Sequence, residues 1–290
     1  MSAAISIVAG GAFMAGLGFL LAALLGLANR RLYVFEDPRI AAVENMLPHS
    51  NCGACGAPGC RQFAELLVQG TKDPGLCTVG KPEELASIAT YLGVTVGEHE
   101  RSVARLACAG GNHVARKRAH YAGLSACRAA QLVSGGGKGC VWGCLGLGDC
   151  ATVCDFKAIT MDDHELPVVD ESLCTACGDC VDVCPRKLFS LQPLGHRLWV
   201  ACANQEKGPA AESECAVICD GCGRCAVDAA PELIRIENNL AIIDYTKNHT
   251  ASPSAIERCR TGAIVWWGEG GVKYGREAIT ITRKESLPIG

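Results

Sequence analysis

Cys174, Cys177, Cys180 and Cys184 form the run C-x2-C-x2-C-x3-C, and Pro185 follows at once. Thiolates at three-residue steps can each take one corner of a [4Fe–4S] cubane. The proline then turns the chain, so that the fourth Cys faces a neighbouring cluster. That is one-electron chemistry. Structural zinc sites also use C-x2-C pairs, but they typically close a tetrahedron from two separated pairs. Disulfides belong to oxidising compartments, whereas the charge pattern described below places these residues in the cytoplasm.

A second run, Cys140-x3-Cys144-x5-Cys150-x3-Cys154, lies upstream. Between the runs, Ala158 to Val169 reads as a hairpin with a polar turn. Two Cys runs flanking a hairpin is the plan of a two-cluster ferredoxin, in which each run lends its last Cys to the other cluster. The expected sets are Cys140, Cys144, Cys150 and Cys184 for one cluster, and Cys154, Cys174, Cys177 and Cys180 for the other. The x5 gap is wider than the usual x2, so the loop around the first of these clusters must differ. Nearer the N-terminus, Cys52, Cys55, Cys60 and Cys77 read C-x2-C-x4-C-x16-C. Glycines beside them leave backbone N–H groups free to bond cluster sulfurs. A [4Fe–4S] site is expected there too.

Internal repetition extends the pattern. An offset of 75 carries Cys127, Cys140, Cys144, Cys150 and Cys184 onto Cys202, Cys215, Cys219, Cys225 and Cys259. The same offset carries Cys154, Cys174, Cys177 and Cys180 onto Ala229, His249, Ser252 and Ala255. All ligands of one cluster are gone together, so the second unit is expected to keep one cluster and to lack the other. Its ligands would be Cys219, Cys225 and Cys259 with Cys222, which restores a C-x2-C-x2-C step, or with Cys215 in its place. Leu147 stands where the first unit would need a counterpart of Cys222. His249 reads as a surface residue, since a Rieske-type centre needs two His. Cys108, Cys127 and Cys202 read as buried small hydrophobes. The count is four cubanes, or about sixteen irons at four per cluster.

These sites need scaffolds. With 20 Cys, 34 Gly and 5% aromatic residues in 290, the chain suits several small modules stapled by metal–thiolate bonds, which contribute folding free energy directly. A net charge of −3 without a basic stripe leaves no footprint for nucleic acid. Met1 to Asn29 carries no charged side chain, and Arg30 and Arg31 follow it. That length spans a bilayer, and the flanking charge places the Cys-rich remainder on the cytoplasmic side of a single-pass anchor. A cleaved signal peptide would need a basic n-region and a shorter apolar stretch. Gly10, Gly11, Ala15, Gly16 and Gly18 give the span a small-residue face suited to helix packing.

Asp37-Pro38 predicts a helix start, and Pro82 to Leu92 predicts a helix stopped at Gly93. Ser134-Gly-Gly-Gly-Lys138-Gly139 lacks the spacing and the Ser or Thr of a phosphate loop, so it reads as a glycine turn. The fold class is α+β: an N-terminal transmembrane helix, a small four-Cys [4Fe–4S] domain and two tandem ferredoxin-like units. The expected boundaries are 1–29 anchor, 30–47 linker helix, 48–97 four-Cys domain, 98–139 connector, 140–193 two-cluster unit and 194–290 one-cluster unit.

Together these residues resemble the B subunit family of Rnf-type ion-translocating ferredoxin:NAD oxidoreductases of bacterial membranes. The resemblance rests on the N-terminal span, Asn51-Cys52-Gly-Ala-Cys55-Gly-Ala-Pro-Gly-Cys60, Gly143-Cys144-Leu-Gly-Leu-Gly-Asp-Cys150, Cys174 through Pro185, and Cys202 to Gly208. It covers nearly the whole chain. It implies a component of the inner membrane that works beside other membrane and peripheral subunits. It also implies that electrons are relayed between soluble ferredoxin and membrane redox carriers, with no substrate pocket on this component itself. Longer family members keep both Cys runs in the second unit, where this chain lacks one. Two other classes compete: the iron–sulfur component of a corrinoid protein, which would need a barrel of about 250 residues, and a zinc scaffold without redox chemistry.

Overall fold

A run of small and apolar residues without proline or charge has no reason to break a helix, and Ser2–Leu32 forms one uninterrupted helix, α1. The computed structural model describes residues 2–32, 36–97, 99–268 and 270–289. Positions 33–35 of the expected linker, and Glu98 at the start of the expected connector, lie outside the described residues. Within α1, Ile7–Leu32 contains an 18-residue stretch of mean hydropathy 2.2, none of it buried among the described residues. Its 26 residues reach about 39 Å at 1.5 Å each, enough to cross a hydrocarbon core of about 30 Å.

Helix α2, Pro38–Met46, starts where the Asp37 carboxylate accepts the Arg39 N–H and proline fills the first position. Helix α3, Cys60–Val68, buries Phe63, Ala64 and Leu67. Helix α4, Pro82–Leu92, ends at Gly93, which takes the left-handed conformation that glycine adopts without a Cβ penalty. Val43, Cys60, Phe63, Leu67 and Ile88 belong to the shared core of these helices, with Cys55 and Cys77 packed at its edge.

Next come β1 (Ser102–Leu106), α5 (Cys127–Leu132), α6 (Asp149–Thr152), β2 (Ile159–Met161), β3 (Pro167–Val169), α7 (Asp179–Val183) and β4 (Phe189–Pro193). Strands β2 and β3 form the expected hairpin. Strand β1, from the expected connector, pairs antiparallel with β4, so the first unit reaches back to Ser102. The second unit comprises β5 (Leu198–Val200), α8 (Pro209–Glu214), α9 (Arg224–Asp228), β6 (Ile234–Glu237), β7 (Leu240–Ile243), β8 (Ile264–Gly268) and β9 (Gly271–Lys273). Its β6–β7 hairpin and antiparallel β5–β8 pair repeat the first unit's plan.

Strand register corrects one equivalence drawn from the 75-residue offset. Leu106 faces Phe189, and Val200 faces Ile264. Phe189 and Ile264 each lie five residues after the last Cys of their unit, Cys184 and Cys259. Leu106 therefore corresponds to Val200, and Cys108 corresponds to Cys202, each two residues further on. The alignment of Cys127 with Cys202 is a coincidence of spacing.

The two units are joined by hydrogen bonds from backbone and side chain. The Ala109 N–H donates to Ala201 O at 2.9 Å, and the Trp199 indole N–H donates to Leu106 O at 2.9 Å. Segment 114–118 runs between the units and bonds both of them: Ala115 bridges Cys215, and Lys117 bridges Lys138.

Candidate iron–sulfur sites

The opening motif folds as its spacing requires. Cys154, Cys174, Cys177 and Cys180 line one cavity, with Cys177 in the loop before α7 and Cys180 in its first turn. The Ala104 N–H donates to Cys174 Sγ at 3.4 Å, and the Ala158 N–H donates to Cys154 Sγ at 3.3 Å. Bonds of this kind draw charge from a thiolate and are a lever on cluster potential.

The neighbouring set differs from the expectation. Cys144, Cys150 and Cys184 share a cavity with Cys127, and Cys140 is not among its lining residues. The cause lies in α5. Its first N–H groups, those of Cys127 and Arg128, donate to the Asp149 carboxylate at 2.8 and 3.2 Å. Asp149 adjoins Cys150, so one carboxylate caps α5 and draws Cys127 onto the cluster loop. Cys140 is held elsewhere. The Gly139 N–H donates to Arg116 O, tying the chain just before Cys140 to segment 114–118. Arg186 donates to the carbonyls of Cys140 and Gly143.

In the second unit Cys219, Cys222, Cys225 and Cys259 line one cavity, and Cys215, the alternative to Cys222, is not among its lining residues. Burial pushes the Cys77 thiol up, and the nearby Cys55 and Cys52 add to the effect. Asn51 accepts the Cys60 N–H at 2.8 Å and so pins α3 to this loop. Four Cys remain, and the structure brings them together as well: Cys108, Cys140, Cys202 and Cys215 line a single cavity between the units. Sequence reasoning set aside Cys108 and Cys202 as solitary. A numerical signal existed, because 20 Cys divide without remainder into sets of four. His249 is exposed, as expected of a surface residue.

Two family models match the chain. One, described as "Putative Fe-S cluster", covers residues 47–79, and the other, "4Fe-4S dicluster domain", covers residues 139–188. Among curated proteins, the B subunit of the Na(+)-translocating ferredoxin:NAD(+) oxidoreductase complex of Acetobacterium woodii is 37% identical over 257 residues, covering 89% of this chain and 76% of that protein. The B subunit of the ion-translocating oxidoreductase complex of Methanosarcina acetivorans is 35% identical, covering 87% of this chain and 96% of its own length. The B subunit of the proton-translocating ferredoxin:NAD(+) oxidoreductase complex of Clostridium ljungdahlii is 36% identical, covering 86% and 88%. The chain belongs to the B subunit family of Rnf-type complexes. Within this family member the first family model spans Cys52 to Cys77 and the second spans Cys140 to Cys184. Neither reaches Cys108, Cys127 or the second unit.

Burial pushes the metal-free thiols of Cys144, Cys150, Cys180 and Cys225 up to about 12, with neighbouring thiolates adding to the effect. At neutral pH such thiols are protonated, so the positive charge of bound metal is what makes them thiolates. Four sulfurs around one small cavity suit a cubane, in which each thiolate binds a different iron. They suit zinc less well, since Zn–S bonds of about 2.3 Å draw the sulfurs to about 3.8 Å from one another. Among the described residues, no three His, Cys, Asp or Glu side chains converge as a single ion would require.

A wider groove between the units is walled by Val168, Trp199, Val265, Trp267 and Tyr274. Its buried Arg105 is held by Glu171 at 2.6 Å and stacks on Trp267 at 3.9 Å from the ring centre. These polar groups are engaged in packing the units together.

Proposed function

We propose that this protein relays electrons between soluble ferredoxin and the membrane redox carriers of an Rnf-type complex. On this reading Cys52, Cys55, Cys60 and Cys77 hold one [4Fe–4S] cluster, and Cys154, Cys174, Cys177 and Cys180 hold a second. Cys127, Cys144, Cys150 and Cys184 hold a third, and Cys219, Cys222, Cys225 and Cys259 a fourth. The clusters supply one-electron redox chemistry, and the chain positions and insulates them. The observation that carries the reading is that the Cys-lined cavities follow one another through the fold. Thr78, beside Cys77, donates to Thr175 O at 2.6 Å, which joins the N-terminal site to the Cys174–Cys177 loop. Cys154 and Cys184 then link the next two sites, as in two-cluster ferredoxins.

The anchor reading is that α1 crosses the membrane once and leaves the Cys-rich part in the cytoplasm. Its support is Arg30 and Arg31 after an uncharged span. Reporter fusions placed after Leu32 should report cytoplasm, and an external signal would reverse the topology. The expected boundaries, 30–47 linker, 48–97 four-Cys domain and units from 98 onward, are proposed with β1 assigned to the first unit. Sheets among the described residues have two or three strands, which gives the corrinoid alternative no barrel.

The deciding experiment is anaerobic metal analysis of the purified protein, with EPR during titration by reduced ferredoxin. Iron with signals that grow as ferredoxin is added supports the relay. Zinc with no visible absorption would remove it, and NAD reduction by the isolated protein would show that it has a substrate site after all.

A further inference from the structure

We infer that Cys108, Cys140, Cys202 and Cys215 hold a fifth [4Fe–4S] cluster, placed between the two ferredoxin-like units and joining their electron paths. The inference rests on the iron–sulfur reading above and adds a site to it. Its first ground is the cavity, which spans about 310 Å3 with its mouth open to solvent included, against 330 to 380 Å3 on the same measure for the three Cys-lined cavities of the two units. Cavities of one size, each lined by four Cys, call for one kind of occupant.

The second ground is symmetry. Strand register makes Cys108 and Cys202 counterparts, and the 75-residue repeat makes Cys140 and Cys215 counterparts. Each unit thus contributes an equivalent pair. The surroundings repeat as well. The Cys144 N–H donates to Cys108 Sγ at 3.3 Å, and the Cys219 N–H donates to Cys202 Sγ at 3.3 Å. Cys144 and Cys219 are themselves ligands of the flanking clusters. A single N–H···S bond therefore separates the shared site from the cluster of each unit. Segment 114–118 closes the set by pairing with the chain on either side: the Gly139 N–H donates to Arg116 O, and the Ala216 N–H donates to Val114 O.

The third ground is fit. Gly110 lies against the site so closely that a Cβ there would come within 3.1 Å of Cys215 Sγ and 3.7 Å of Cys108 Sγ. Trp142 lines the cavity, and its buried indole N–H has no partner among the described residues. A cluster sulfide would accept that hydrogen. Lys138 also lines the cavity and donates to Gly110 O and Cys144 O, both at 2.6 Å. It sets a positive charge beside four thiolates. The division of labour in the second unit follows from Cys222. There Cys222 completes the unit's own cluster, as Cys127 does in the first.

The test is iron per chain in the anaerobically isolated wild-type protein, together with Cys215→Ala and EPR of the reduced state. Five clusters require about twenty irons in the wild type, and the variant should keep about sixteen, at four irons per cluster. The clusters built on Cys144 and Cys219 should also lose magnetic coupling to a shared neighbour in the variant, a change that mere loss of a packed thiol would not cause. About sixteen irons in the wild type, with normal iron–sulfur signals, would overturn the fifth site and leave the relay standing. So would one zinc per chain beside about sixteen irons. Iron unchanged by Cys215→Ala would overturn the ligand assignment. Should that variant fail to fold, the wild-type iron count decides by itself. A wild type without iron would sink the relay reading along with this one.

Discussion

The two ferredoxin-like units share a plan and differ in what fills one place. In the first, Cys154, Cys174, Cys177 and Cys180 surround a cavity. In the second, Ala229 and Ala255 stand at two of those positions and join a core of Leu198, Leu233, Ile234 and Ile256. Ala255 is 1% exposed. Arg258 and Asp228 add a two-pronged ion pair, with both bonds at 2.7 Å, between α9 and the turn that replaces α7. Side-chain packing thus fills in one unit the place that four Cys surround in the other. The comparison teaches that this small plan tolerates either solution, provided the volume is filled.

The sharpest break of that comparison is at the exchanged ligand. Cys127→Ala and Cys222→Ala should each remove one cluster, about four irons, because each leaves a three-thiolate site. Leu147 occupies the place of Cys222, and its backbone N–H reaches the Cys127 thiol. Leu147→Cys added to Cys127→Ala should therefore restore the lost irons. Iron analysis decides, and a double variant that stays depleted would show the units are less alike than their register implies. Cys259→Ala should likewise cost one cluster and spare the others.

Next in size is the filled cavity. Ala255→Leu should cost about 1–3 kcal/mol by overpacking, read as a lower denaturation midpoint with iron unchanged. A neutral result would mean that the second unit retains free space where the first has its Cys-lined cavity.

Smaller still is the charge at Lys138. Lys138→Met should lower the potential of the cluster between the units by on the order of 60 mV, the one-electron equivalent of about 1.4 kcal/mol. The sign follows because removing a positive charge disfavours adding an electron. Redox titration followed by EPR measures it, and an upward shift would contradict the placement. Arg258→Met should have the smallest effect, a slight fall in Tm with no loss of iron, since the pair it breaks is solvent-screened. Loss of iron there would mean that α9 depends on this pair to hold Cys225.

Local spacing made much of the protein legible in its sequence. Cys174 to Pro185, the C-x2-C-x2-C step at Cys219 and the run from Cys52 to Cys60 carry their geometry within a few residues. In such runs the backbone alone sets which sulfurs can meet. The same holds for α2 and α4, whose Asp37, Pro82 and Gly93 mark their ends, and for α1, which is uncharged up to Arg30 and Arg31 in its last turn. The absence of four Cys from the second unit was legible too, since the four equivalent positions differ together.

Tertiary structure decided the rest, and the reason is distance along the chain. Cys127 reaches its cavity only because Asp149, 22 residues away, accepts the first N–H of α5. Cys140 belongs by sequence to the run that Cys144 continues, yet its neighbours draw it to the other unit. Cys108, Cys140, Cys202 and Cys215 share no motif, for nothing local spaces them. They meet because two antiparallel strand pairs, β1–β4 and β5–β8, place Cys108 and Cys202 alike, while segment 114–118 ties the chain before Cys140 and the chain around Cys215 into one layer. A motif records what neighbouring residues can do together. What two units build between them is set by how they pack, and that is written in strand register and backbone hydrogen bonds.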